Sequence, residues 1–158
     1  MPKPMMPLPD GIYETHLTVR DLEASVTFYR DVLGLELAHR VPGRGLAFFW
    51  VGGRENGMLG LWQGGHGPLA MRLHFAFRTS LAQVLAAPDA LKACGVAPLG
   101  FSGEPTDEAV VLGWMPAASV YFADPDGHSL EYIAMLDATP DSEFGVGPWS
   151  RWQARNTD

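Results

Sequence analysis

Thr15-His16-Leu17-Thr18 returns in the second half of the chain as Leu73-His74-Phe75-Ala76. Around each stretch the apolar periodicity changes in the same order, from period two to helical spacing and back. Ile12 to Val19 is rich in β-branched and aromatic residues and reads as a strand. Leu22, Val26, Tyr29 and Leu33 then fall at helical spacing, with Asp21 or Ser25 as candidate caps and Gly34 as the stop. Leu35 to Val41, Gly45 to Val51 and Met58 to Gln63 follow as strands, punctuated by Gly43, Gly52-Gly53 and Asn56-Gly57. The first half is β-α-β-β-β.

The second half restarts the pattern. Arg72 to Arg78 is a strand and Leu81 to Cys94 a helix interrupted by Pro88. Val96 to Phe101, Ala109 to Trp114, Ser119 to Phe122 and Ser129 to Met135 are strand candidates. Lining up the halves sets His16 against His74 and Leu59-Gly60-Leu61-Trp62 against Leu130-Glu131-Tyr132-Ile133. Such a repeat predicts an α+β fold of two tandem βαβββ modules, forming an open, curved mixed sheet around a cleft. The chain divides into an N-terminal extension (1–11), a first module (12–63), a linker (64–71), a second module (72–136) and a C-terminal tail (137–158). Phe144, Trp149 and Trp152 predict that the tail docks, either over its own modules or across a partner.

Composition narrows the function. Of 158 residues, 47% are hydrophobic and 18% charged, enough for a real core. The net charge is −7, and Lys3 and Lys92 are the only lysines, so nucleic acid is excluded as an expected partner. One cysteine, Cys94, excludes a disulfide framework. No run has the roughly 18 apolar residues that span a bilayer, and the proline-rich start has no signal-peptide pattern. The expectation is a cytoplasmic protein with no membrane partner.

Alternate strand residues share a face. His16 therefore lies with Glu14 and Thr18, and His74 with Arg72 and Ala76, opposite the bulky apolar residues of each strand. Both imidazoles are expected to face a common cleft. Glu131 is a carboxylate in an apolar strand, a costly placement unless it is paired or bound to a cation. Two histidines and one carboxylate make the facial set that holds a divalent ion with open positions. Asp124-Pro125-Asp126-Gly127 is a turn that aims the last strand, with His128 exposed in it. His39 and His66 are expected at the surface. Trp50 and Trp62, at strand ends, are candidates for an apolar pocket wall.

His16-Leu17-Thr18-Val19-Arg20-Asp21-Leu22-Glu23-Ala24-Ser25-Val26-Thr27-Phe28-Tyr29-Arg30-Asp31-Val32-Leu33-Gly34-Leu35 resembles the opening of the vicinal oxygen chelate superfamily. Tyr121-Phe122-Ala123-Asp124-Pro125-Asp126-Gly127-His128-Ser129-Leu130-Glu131 resembles its closing signature. With His74, the resemblance spans about Ile12 to Leu136. It implies one divalent metal (Mn, Fe, Zn, Ni or Co) on His16, His74 and Glu131, and a substrate bound through adjacent oxygens.

Members differ in activity. Glyoxalase I is similar but adds a carboxylate where the repeat places Gly60. Extradiol dioxygenases are similar but carry a further His where this chain has Leu112-Gly113-Trp114. The fosfomycin-resistance thiol transferases are closest locally. Thr18, Ser119 and Tyr121 match their substrate-contacting positions, although the basic loop before Ser119 is replaced by Ala109 to Pro116.

The resemblance implies a metal-dependent lyase, isomerase or transferase acting on a small oxygenated molecule, with Glu131 and Tyr121 in the catalytic roles. Its alternatives are a metal-free drug-binding protein of the bleomycin-resistance type and an extradiol dioxygenase. A homodimer is expected, with the cleft either within one chain or shared by a swapped dimer.

Overall fold

Asp21 shows how closely local chemistry sets the first helix. Its extended backbone (φ −126°, ψ 108°) and its Oδ1, accepting from the Glu23 and Ala24 N–H groups at 3.0 and 3.1 Å, cap α1, Leu22–Thr27. The next turn, Phe28–Val32, widens to π geometry, with Leu33 N–H donating to the Phe28 carbonyl. Phe28 and Tyr29 are both buried there. Gly34, at φ 69°, turns the chain out of the helix. The computed structural model describes residues 11–41, 43–64 and 71–156.

Two compact units divide the chain, Met1–Ala70 and Met71–Asp158. The first carries β1 (Glu14–Val19), β2 (Glu36–Val41), β3 (Leu46–Trp50) and β4 (Met58–Gln63), in sheet order β1-β4-β3-β2. β1 and β4 are parallel and the other pairs antiparallel. Leu17, Val19, Ala47, Phe49, Leu59 and Leu61 are buried, as are Leu22, Val26 and Tyr29 from the helix.

The second carries β5 (His74–Arg78), α2 (Leu81–Ala93), β6 (Val110–Leu112), β7 (Ala117–Ala123), β8 (Ser129–Met135), β9 (Val146–Pro148) and α3 (Trp149–Arg155). Its order, β5-β8-β7-β6-β9, reproduces the first sheet and adds an edge strand. The chain is thus α+β, with two open, curved mixed sheets, one per βαβββ module.

Several expectations change. Pro88 does not interrupt α2, which runs through it to Ala93 although proline has no N–H for the Val84 carbonyl. A capping box between Ser80 and Gln83 secures its start, and Val84, Ala87, Pro88 and Leu91 are buried. Val96 to Phe101 is no strand. Only Leu99 pairs, bridging Tyr121 and Pro105. The residues after 136 are structural: β9 pairs with β6, and Phe144 and Trp152 join a buried cluster with Val84, Ala109, Val111, Ala118 and Ala134. Residues 1–10 and most of the expected linker, 65–70, lie outside the described residues, as does His66.

Candidate functional site

In the second unit, strand alternation brings His74, Glu131, Tyr121 and Ser119 to one face. Glu131 lies opposite Ala76 on one side and Tyr121 on the other. Its carboxylate is buried, and its Oε2 is 3.3 Å from His74 Nε2. Its Oε1 has no hydrogen-bond partner, and neither has the fully buried Ser119 Oγ. Such groups cost about 1–3 kcal/mol each when left unmatched. His74 Nδ1 lies 3.0 Å from the Ser129 carbonyl, a pure acceptor, so Nδ1 donates and Nε2 faces the carboxylate.

This pair fits a divalent ion. The imidazole is tethered at its far nitrogen, the usual support for a ligating histidine. Donor atoms 3.3 Å apart suit one ion, since its bonds of roughly 2.0–2.2 Å meet at about a right angle or more.

The Tyr121 ring lies 6.0 Å from the His74 ring and 6.1 Å from the Phe101 ring. Burial lifts the Tyr121 phenol above its usual range, and the Glu131 charge adds to that. Its hydroxyl stays protonated at neutral pH.

The first unit holds His16, Thr18 and Trp62 on one face, with Thr18 directly opposite Trp62. Trp62 Nε1–H donates to His16 Nδ1 at 2.5 Å, and His16 Nε2 meets Glu14 Oε1 at 2.5 Å. Phe48 meets the imidazole edge-on at 5.8 Å. Gly60 lies beneath the ring, where an added Cβ would come within 2.5 Å of His16 Cε1. Arg44 lies over the Trp62 ring at 5.6 Å, and Arg54 over the Trp50 ring at 5.7 Å. Trp50 is therefore engaged by a surface cation.

Register corrects the alignment of the halves. His16 lies opposite Gly60, and His74 opposite Ser129. The counterpart of Glu131 is therefore Trp62, two residues beyond Gly60. Hydrophobic pattern alone could not detect a shift of two, because strand alternation is unchanged by it. His128 is also corrected. It is buried, with Nδ1 accepting from Leu73 N–H at 3.1 Å and its own N–H donating to Asp124 Oδ1 at 2.8 Å. Asp124 also accepts from Asp126 N–H, so this turn is a built Asx structure. His39 is exposed, as expected. Among the described residues no three His, Cys, Asp or Glu side chains are drawn together as a ready cation site. Glu14 was placed on the His16 face but given no role, and Phe101 was given none. Strand alternation put Glu14 beside His16, whereas nothing marked Phe101.

The description Glyoxalase/Bleomycin resistance protein/Dioxygenase superfamily matches residues 11–132. An integron cassette protein from the mobile metagenome of a Halifax Harbour sewage outfall is 33% identical, with a TM-score of 0.68, covering 80% of this chain and 100% of its own. Lactoylglutathione lyase from Agrobacterium tumefaciens is 31% identical, with a TM-score of 0.60, covering 80% of this chain and 94% of its own. A glyoxalase/bleomycin resistance protein/dioxygenase from Nocardioides is 26% identical, with a TM-score of 0.63 and coverage of 86% and 90%.

Proposed function

Because the chain belongs to the Glyoxalase/Bleomycin resistance protein/Dioxygenase superfamily, we propose that it is a metal-dependent enzyme acting on a small molecule with adjacent oxygens, as a glyoxalase-like lyase or isomerase or as a thiol transferase. One observation carries this reading: a buried carboxylate with an orphaned oxygen faces the tethered imidazole of His74. His74 and Glu131 would hold the ion, with His16 as the third donor. When bound, a divalent ion supplies Lewis acidity, polarising a substrate oxygen and making an adjacent proton easier to remove.

The chain's own groups do the rest. Tyr121 donates a hydrogen bond to a substrate oxygen and positions it. Ser119 Oγ is a second polar contact, and Thr18 a third from the first module. Glu131 is the candidate proton carrier. The likeness to a lactoylglutathione lyase supports the lyase reading. Among the described residues no helix is long and apolar enough to cross a membrane. A cytoplasmic location and pairing with a second copy remain part of the proposal, although the aromatic tail covers its own second sheet and gives no motive for a partner.

Two measurements test the reading together. Purified chain equilibrated with Zn²⁺ or Ni²⁺ and then gel-filtered is expected to retain one ion per chain. The chain loaded anaerobically with Fe²⁺ is expected to leave catechol uncleaved, because no histidine stands in the Leu112-Gly113-Trp114 segment. No retained metal would favour the drug-binding reading. Brisk oxygen uptake with a yellow ring-opened product would favour the dioxygenase.

A further inference from the structure

We infer that Trp62 is a positioning residue that fixes which nitrogen of His16 carries the proton. The inference rests on the proposed metal centre and deepens it, because it states the condition under which His16 can join an ion.

An indole N–H only donates. His16 Nδ1, 2.5 Å from it, must therefore present its lone pair. In a neutral imidazole that leaves the proton on Nε2. Nε2–H then finds an acceptor in Glu14 Oε1, also at 2.5 Å. Every group in the run Trp62–His16–Glu14 has one role. The other tautomer would set two N–H groups against each other at Trp62 and two lone pairs against each other at Glu14. The imidazolium fails at Trp62 for the same reason. Phe48 against the ring, and the absence of a side chain at Gly60 beneath it, hold the imidazole in this arrangement.

The second module makes the contrast. The register position of Trp62 belongs there to Glu131, an acceptor in place of a donor. The histidine responds in the opposite sense: His74 donates from Nδ1 to the Ser129 carbonyl, and its Nε2 faces the carboxylate. At matching places in the repeat, Nδ1 thus accepts in His16 and donates in His74. Ligation through Nε2 leaves the Nδ1 bond of His74 to Ser129 in place. His16 ligates through that atom only after its proton moves to Nδ1 and the indole bond is given up. A donor at position 62 therefore opposes metal binding by His16.

The test reads the tautomer directly, by ¹⁵N–¹H correlation spectra of the metal-free, labelled chain. Wild type is expected to show a single Nε2–H pattern for His16. Glu14→Ala is expected to keep it, since Trp62 alone excludes the alternative. Glu14→Ala combined with Trp62→Phe is expected to give an averaged pattern. Averaging in Glu14→Ala alone, or a wild-type pattern in the double variant, would overturn the inference.

A calorimetric titration with Zn²⁺ supplies the second arm. Trp62→Phe is expected to bind about 5- to 10-fold more tightly than wild type, the worth of about one hydrogen bond. Unchanged affinity in a chain that does bind Zn²⁺ would overturn the coupling to metal. If neither protein binds Zn²⁺, the proposed metal centre fails while the tautomer result stands by itself.

Discussion

Glu131→Gln and His74→Ala each lower the divalent-metal affinity of the chain by about 100-fold or more, beyond the 10–100-fold typical of residues that only support a ligand. The stability of the metal-free protein should move the other way for Glu131→Gln. Glu131 is 4% exposed and its Oε1 lacks a partner, so the native carboxylate carries an uncompensated desolvation cost. Replacing it with a neutral amide is expected to leave the thermal midpoint of metal-free protein unchanged or raise it, by about 1 kcal/mol of stability. His74 is half-exposed and should matter little to folding. Metal titration of both variants, with melting curves in the presence of a chelator, checks the pair of effects. A variant that keeps full affinity, or a Glu131→Gln chain that unfolds, would remove Glu131 from the metal centre and return it to the framework.

Trp152→Ala is expected to destabilise the second unit by about 3–5 kcal/mol, the range for truncating a buried large aromatic. Trp152 is 5% exposed and meets Phe144 edge-on with ring centroids 4.9 Å apart. Both pack on Val84 of α2 and on Val111 and Ala118 of the sheet. Arg151 ties the same segment down, donating to the Phe144 and Val146 carbonyls at 2.7 and 3.0 Å with its guanidinium 4.2 Å from the Phe144 ring. The predicted fall in melting temperature is on the order of 10 °C. A fall of only a degree or two would mean that the last turn of chain decorates the unit without holding it.

Strand alternation and capping chemistry made much of this molecule legible beforehand. β4 and β8 run from Met58 to Gln63 and from Ser129 to Met135, the limits the apolar runs suggested. Asp21 caps α1, and His16 and His74 lie opposite the buried residues of their strands. What escaped depends on tertiary partners. Pro88 breaks an isolated helix, yet here α2 is capped at Ser80 and buried along Val84 and Leu91. Leu99 has strand-like neighbours but finds only Tyr121 and Pro105 to pair with. His128 follows the four turn residues Asp124 to Gly127, a context that suggests exposure, yet it is buried and accepts from the Leu73 N–H. For the candidate site, the types of residue were readable but their pairing was not. Trp62 took the place assigned to Gly60 because the register slips by two, a displacement that preserves every inward and outward side chain.

β9 has a further meaning for how the protein behaves at high concentration. β6 is three buried residues, Val110, Val111 and Leu112, and without β9 it would present their backbone as an open template for another chain. β9 occupies that template and ends in Pro148, which has no N–H to offer a newcomer. The segment after 136 is thus a guard against self-association into extended β-assemblies as much as a contributor of packing. Chains shortened before Val146, by nicking or by an early stop, would be exposed to fibre formation even where their modules could still fold.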